Sequence, residues 1–193
     1  MNRKSQITHQ ERKKELLVKC FELMAEKGLE NTGMRDLCRA CELSTNNSLY
    51  HYFGKKDTIV VEAVVAGLER IEKAFFEPAV DETVDLSDFL HGMPALMEKY
   101  QDGIALIYQV AVSPRYRDDI APYIQLLPEH YDEYTLLLAK KLGCSADALK
   151  PLVYLLVTVN TKYMLFRDDV SHKVQISYII DQINAVSQNK IDF

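Results

Sequence analysis

Much that would mark other protein classes is scarce or missing in this chain. Seven glycines and six prolines in 193 residues are few for a loop-rich or low-complexity protein. No segment reads as a convincing strand, while helical periodicity runs nearly throughout. The opening run MNRKSQITHQERKK is polar and has no apolar h-region, which argues against a signal peptide. The longest apolar run, PLVYLLVTV from Pro151 to Val159, is about half of the roughly 20 residues a bilayer-crossing helix needs. The expectation is therefore a cytoplasmic protein with no membrane partner. The four cysteines Cys20, Cys38, Cys41 and Cys144, without a secretory signal, read as free thiols rather than a disulfide framework.

Catalytic signatures are also missing. The five histidines are scattered, and no Gly-rich phosphate loop, H-E-x-x-H or G-x-S-x-G occurs. The adjacent pairs Asp118-Asp119 and Asp168-Asp169 fit helix ends better than acid–base chemistry. The spacing of Cys38 and Cys41 could share a zinc, but a structural site wants four ligands and no second Cys/His pair lies nearby. Neither an enzyme nor a cofactor nor a metal is expected.

What is present is apolar content of 48% and charged content of 26%, the balance of a globular helical protein. The net charge of −5 is unevenly spread. Residues up to Lys56 carry 11 Lys and Arg against 7 Asp and Glu, a net of +4, leaving −9 on the remainder. A basic head on an acidic body hints at a nucleic-acid-binding module.

The head divides into short helices. Thr8 with Glu11 forms a capping-box pattern, the stripe Leu17, Cys20, Phe21 and Met24 follows, and Gly28 ends a first helix. NTGMRDLCRAC reads as a second helix with Thr32 as N-cap, and a third runs from Thr45 or Ser44 to about Tyr52, closed by Gly54. A longer helix is expected from about Lys55 to Phe76, stopping before Pro78. Two short helices joined by a tight turn and packed on a longer one make a helix-turn-helix, whose second element enters the major groove. Candidate DNA contacts are Thr32 and Arg35 near the second helix, then Thr45, Asn46, Asn47 and Ser48, then Tyr50 and His51. Amides and hydroxyls can reach base edges or phosphates, and Lys55 and Lys56 add positive charge beside them. The alternative is an ordinary polar loop.

From about Glu11 to Leu68 the sequence resembles the DNA-binding domain of the TetR family of transcriptional regulators. FELMAEKGLENTGMRDLC is similar to that family's first-helix end and second helix, and LYHYFGKKD to its LYxHF-G-K signature. Two departures stand out: Glu42 occupies a turn position that is often glycine, and CELSTNNS holds one extra residue. Thr45 as the cap of a longer turn keeps Asn46, Asn47 and Ser48 on the DNA-facing side. The resemblance implies an all-α homodimer, a three-helix head on a palindromic operator, and a C-terminal bundle that dimerises and binds a small effector. The expected layout is a helix-turn-helix domain over residues 8–54 (motif about 32–53), a connecting helix over 55–76, and an effector-binding and dimerisation domain over 77–193.

In the body, Gly92 and Pro94 are expected to kink or break the segment Leu86 to Tyr100, with a separate short helix from Gly103 to Val112. A helix from about Asp119 to Leu142 should kink at Pro128. The apolar helix containing Leu152 and Leu156, and the stripe Ile176, Ile179 and Ile183, are candidates for a two-fold dimer interface; filling the monomer's core is the alternative. Effector candidates are His91, Met97, Tyr108 and Gln109, together with Tyr154, Thr158, Asn160 and Thr161. Asn160 and Thr161 stand in an otherwise apolar helix, where a polar group needs something to meet. The functional expectation is a DNA-binding regulator, a repressor released from its operator by a small apolar molecule. The alternatives are the same fold binding DNA or protein without an effector, or a helical ligand carrier.

Overall fold

The computed structural model describes residues 9–188, apart from the side chain of Asn46. Thr8, half of the expected capping box, lies outside the described residues. The fold is all-α, with no strand among the described residues. The helices are α1 (His9–Lys27), α2 (Met34–Ala40), α3 (Asn46–Phe53), α4 (Lys56–Val80), α5 (Leu86–His91), α6 (Met93–Val112), α7 (Arg117–Ile124), α8 (Leu127–Leu142), α9 (Ala146–Phe166) and α10 (Asp169–Gln188). They form two compact units, one of residues up to Ile71 together with Asp102–Ile124, the other of Glu72–Gln101 together with the residues from Gln125 on. Helices α4 and α6 contribute to both.

The first unit is the head. Leu16, Cys20 and Met24 recur along α1 and are wholly buried, as are Leu37 from α2 and Leu49 from α3. Gly28, at φ +85°, ends α1. Phe21 explains two glycines. A Cβ on Gly67 of α4 would stand 2.3 Å from the Phe21 ring, and one on Gly103 of α6 3.0 Å from it. Glycine inside a helix costs roughly 0.5–1 kcal/mol relative to alanine, and here it lets an aromatic ring lie directly against two backbones.

The second unit is the body. Its core joins Leu90, Met93, Leu138, Leu149 and Val153 with Ile176, Ile179 and Ile183. Helix α9 packs on both α8 and α10, and α5 packs on α10. Lys141 of α8 closes the end of α4 by donating from Nζ to the carbonyls of Ala79 (3.1 Å), Asp81 (2.6 Å) and Val84 (2.9 Å), which meets acceptors that a helix C-terminus leaves open. No single helix among the described residues is long and apolar enough to cross a membrane.

Several boundaries differ from expectation for identifiable reasons. Helix α4 continues past Phe76 through Pro78 to Val80; the proline falls in the last turn, and Lys141 holds the carbonyls beyond it. Gly92 does break the chain as the C-cap of α5. Pro94 is then the second residue of α6, where no helical N–H is needed, and α6 runs unbroken through Gly103 to Val112. Pro128 likewise stands in the first turn of α8, so it opens a new helix instead of kinking an old one.

Candidate nucleic-acid interface

Helix α2, a five-residue turn and α3 form the helix-turn-helix. Gly33, not Thr32, is the N-cap of α2: the Asp36 carboxylate accepts from the Gly33 N–H at 3.1 Å. This bond, with Lys27 beside it, holds the Asp36 carboxyl below the usual range. Thr32 is 1% exposed and donates its hydroxyl to the Gly28 carbonyl at 2.8 Å. It ties the α1–α2 loop together and presents nothing outward, correcting its place among the DNA contacts.

The turn from Cys41 to Thr45 contains Glu42 in the left-handed region at φ +57°. This is the position where the sequence departs from glycine. Its carboxylate reaches Lys19 Nζ at 2.7 Å, which holds the Glu42 carboxyl low. Thr45 is the N-cap of α3 in extended backbone (φ −143°, ψ 152°), and Gly54 (φ +76°) is its C-cap. The longer turn is thus absorbed before the helix begins. The Thr45 hydroxyl lies 3.2 Å from the Ser48 hydroxyl and makes no bond to the helix amides.

Helix α3 has two sides. Leu49 and Phe53, four residues apart, are buried at 0% and 5% exposure. Asn47, Tyr50 and His51 are exposed, and so is Lys55 just beyond the helix. Ser48 is half-buried. Asn46 is the first residue of the helix, and its side chain lies outside the described residues. Arg35 is exposed on α2. Lys56 has a different job from Lys55: its Nζ donates to the Thr32 carbonyl at 2.6 Å, fastening the α1–α2 loop to the start of α4. Tyr52 stacks on His9 of α1 with ring centroids 5.0 Å apart.

Residues 16–63 match the sequence model described as bacterial regulatory proteins of the tetR family. The N-terminal domain is of the TetR family. Its matched span takes in the TetR helix-turn-helix from the middle of α1 to the first turns of α4. Over almost the whole chain the fold is also that of TetR-family transcriptional regulators. A Mesorhizobium loti protein assigned as a TetR-family transcriptional regulator superposes with TM-score 0.66 at 12% identity, covering 93% of this chain and 98% of that one. PfmR, a TetR-family transcriptional regulator from Thermus thermophilus, gives TM-score 0.52 at 20% identity, covering 88% and 97%. The multidrug binding protein EbrR, complexed with ethidium, gives 0.58 at 16% identity, covering 89% and 98%. These structural likenesses show the fold. No curated protein matches the chain significantly.

Sequence reasoning missed two fastenings in the head. Arg115 Nη2 donates to Asp57 Oδ1 at 2.8 Å, tying the α6–α7 loop to the first turn of α4 directly after Lys55. Cys20 and Cys41 bring their sulfurs within 3.5 Å. Neither pairing has a local signal, since the partners lie far apart in sequence.

In the body the effector candidates are scattered. His91 is exposed and bonds through Nδ1 to the Ser87 carbonyl at 2.8 Å. Thr158 is exposed and donates to the Tyr154 carbonyl at 2.9 Å. Tyr154 is half-buried, its hydroxyl 3.4 Å from the Pro128 carbonyl and from Asp132 Oδ1. Met97 is buried and Thr161 half-buried, while Tyr108 and Gln109 are exposed and belong to the head unit. Asn160 is buried, but its amide is met from within: Nδ2 donates to the Leu156 carbonyl and Oδ1 faces His172 Nε2, each at 3.0 Å. The expectation that it waits for a ligand is corrected, and His172 is the partner the sequence did not reveal. A half-open cleft beside this pair, lined by Lys162, Tyr163, Asp168 and His172, has a cavity volume of only about 10 Å³, about one water and far below the roughly 300–1,000 Å³ of pockets that hold drug-sized ligands.

The isoleucine stripe also turns inward. Ile176, Ile179 and Ile183 are 1%, 0% and 4% exposed within one chain, which corrects their place at a dimer interface. Leu152 and Leu156 are half-buried against the same core. The exposed apolar side chains at this end of the body are others: Leu165 and Phe166 end α9, and Val170, Val174 and Tyr178 repeat every four residues along α10.

Proposed function

We propose that this chain is a DNA-binding transcriptional regulator, a repressor that grips a palindromic operator as a homodimer and releases it when a small apolar molecule binds the body. The observation that carries the reading is the division of α3: two apolar anchors hold it to the head while Asn47, Tyr50 and His51 face out beside Lys55. That is the arrangement a recognition helix needs, with a base-reading amide outward and phosphate-binding charge adjacent.

A helix of eight residues reads only a few base pairs, so useful affinity calls for two heads about one DNA turn or more apart. The exposed apolar row Val170, Val174 and Tyr178 on one face of α10, with Leu165 and Phe166 just before it in the chain, supports a two-fold pairing there, because exposed apolar faces mark association surfaces. EbrR bound to ethidium supports an aromatic or apolar effector for this fold. An effector that favours the released state by about 3 kcal/mol would lower operator affinity more than a hundredfold.

The experiment is selection of bound sites from a pool of random duplexes, followed by a screen of apolar compounds against the winning complex. Enrichment of an inverted repeat supports a dimeric reader. Release by a compound supports the effector, and stable binding through the whole screen leaves a constitutive DNA-binding protein.

A further inference from the structure

Cys20 sits in the middle of α1 and Cys41 is the C-cap of α2; both are wholly buried, and their sulfurs are 3.5 Å apart. A disulfide needs about 2.05 Å, so closing the pair brings the two sulfurs roughly 1.5 Å closer, and whatever side-chain rotation does not supply shifts the end of α2 against α1. That end leads straight into the turn that carries the recognition helix. A second sulfur contact reaches the same place, since Cys38 Sγ lies 3.5 Å from the carbonyl of Thr45, the N-cap of α3.

We propose that Cys20 and Cys41 are a peroxide-oxidisable pair whose disulfide reseats α3 and weakens DNA binding; the last step rests on the DNA-binding reading above. The reacting sulfur is Cys41. The Cys20 thiol beside it favours its thiolate, burial opposes, and the charges of Lys19 and Arg12 add to the first, its own thiol resting 3.6 Å from the Leu16 carbonyl; the bond to Cys41 and burial hold Cys20 protonated. The Cys41 thiolate attacks one oxygen of a hydroperoxide, the O–O bond breaks, and the departing hydroxide takes up a proton to become water. Cys20 then attacks the Cys41 sulfenic sulfur, which expels its oxygen with the Cys20 proton as a second water. Two thiols have lost two electrons and two protons, and one hydrogen peroxide has become two waters. Burial means that the oxidant enters only when the turn opens. Glu42, Ser44 and Thr45 of that turn are exposed, and exposed turns open locally at low free-energy cost.

The test treats the full reduced chain with hydrogen peroxide, alkylates the remaining thiols, digests without reductant and reads the peptides by mass spectrometry. The expected product is a Cys20–Cys41 cross-linked peptide about 2 Da lighter than its two thiol parts, reversed by dithiothreitol. In the cross-linked chain, hydrogen exchange at the Asn46–Phe53 amides should change, and affinity for a mixed-sequence duplex at low salt should fall about tenfold. Cys20→Ser should give no cross-link and leave Cys41 as a dimedone-reactive sulfenic acid; Cys41→Ala should also give no cross-link and no sulfenic acid at that site. Absence of the cross-linked peptide overturns the proposal, and so does a cross-link that leaves exchange in α3 unchanged. Failure of the reduced chain to bind any duplex would instead overturn the DNA-binding reading.

Discussion

His172 of α10 donates its ring Nε2–H to Asn160 Oδ1 of α9 across 3.0 Å, and both residues are buried. The direction follows from the second half of the amide: Asn160 Nδ2 is already donated to the Leu156 carbonyl, so Oδ1 must accept and the imidazole must donate. Asn160→Leu should therefore destabilise the body by about 1–3 kcal/mol, because it strands a buried N–H. Asn160→Leu combined with His172→Phe should cost less than the two single changes added together, measured by urea unfolding.

The same histidine makes stability depend on pH. Burial pushes its pKa below the ordinary value, with Asp169 opposing, so the folded chain favours the neutral ring. The unfolded chain then binds more protons as pH falls below the ordinary histidine value near 6.5. The stabilisation is complete above that value and is lost as pH drops through the folded pKa. Melting temperature should decline as pH falls below about 6.5, and His172→Gln, which can still donate to Asn160, should flatten this part of the curve.

Two substitutions on the same helix separate core from surface. Ile179→Asp places a charge at a fully buried position and should unfold the body, lowering helicity by circular dichroism. Val174→Asp changes a side chain that is 65% exposed; it should leave helicity intact and yield monomers by light scattering. An Ile179→Asp chain that folds normally and only loses its partner would return the interface to the isoleucine stripe.

Local chemistry in the sequence carried a good part of this architecture. The stripe of α1, the stop at Gly28, and the cap at Thr45 with the closing Gly54 are all decided within a few residues, so they could be read directly. The Gly33 cap could not, because Thr32 satisfies the same cap preference and only its hydroxyl bond to Gly28 turns it inward. Pro94 and Pro128 were ambiguous for a related reason: a proline ends one helix or begins the next, and packing decides which. The isoleucine period showed that a face is buried but not against what. Asn160 looked unpartnered since His172 is twelve residues away on the next helix, and Cys20 and Cys41, twenty-one apart, meet only through tertiary packing.

Glu42 offers a check on the turn. Its left-handed backbone, at φ +57°, is costly for a residue with a Cβ and free for glycine. The ion pair with Lys19 that Glu42→Gly removes is exposed and contributes little. The substitution should raise the melting temperature by about 2–4 °C and leave DNA binding intact. A lower melting temperature would show that the Lys19 pair, not the backbone, governs this turn.

If the outward face of α3 reads DNA sequence, the change that shows it is Asn47→Ala, measured as affinity for a selected operator and for random duplex across a range of salt. Asn47→Ala should lose about 1–3 kcal/mol of affinity for the operator alone. Lys55→Ala should weaken both duplexes alike and reduce the salt slope by about one. Equal loss on operator and random DNA for Asn47→Ala, or no loss on either, would contradict sequence reading by α3.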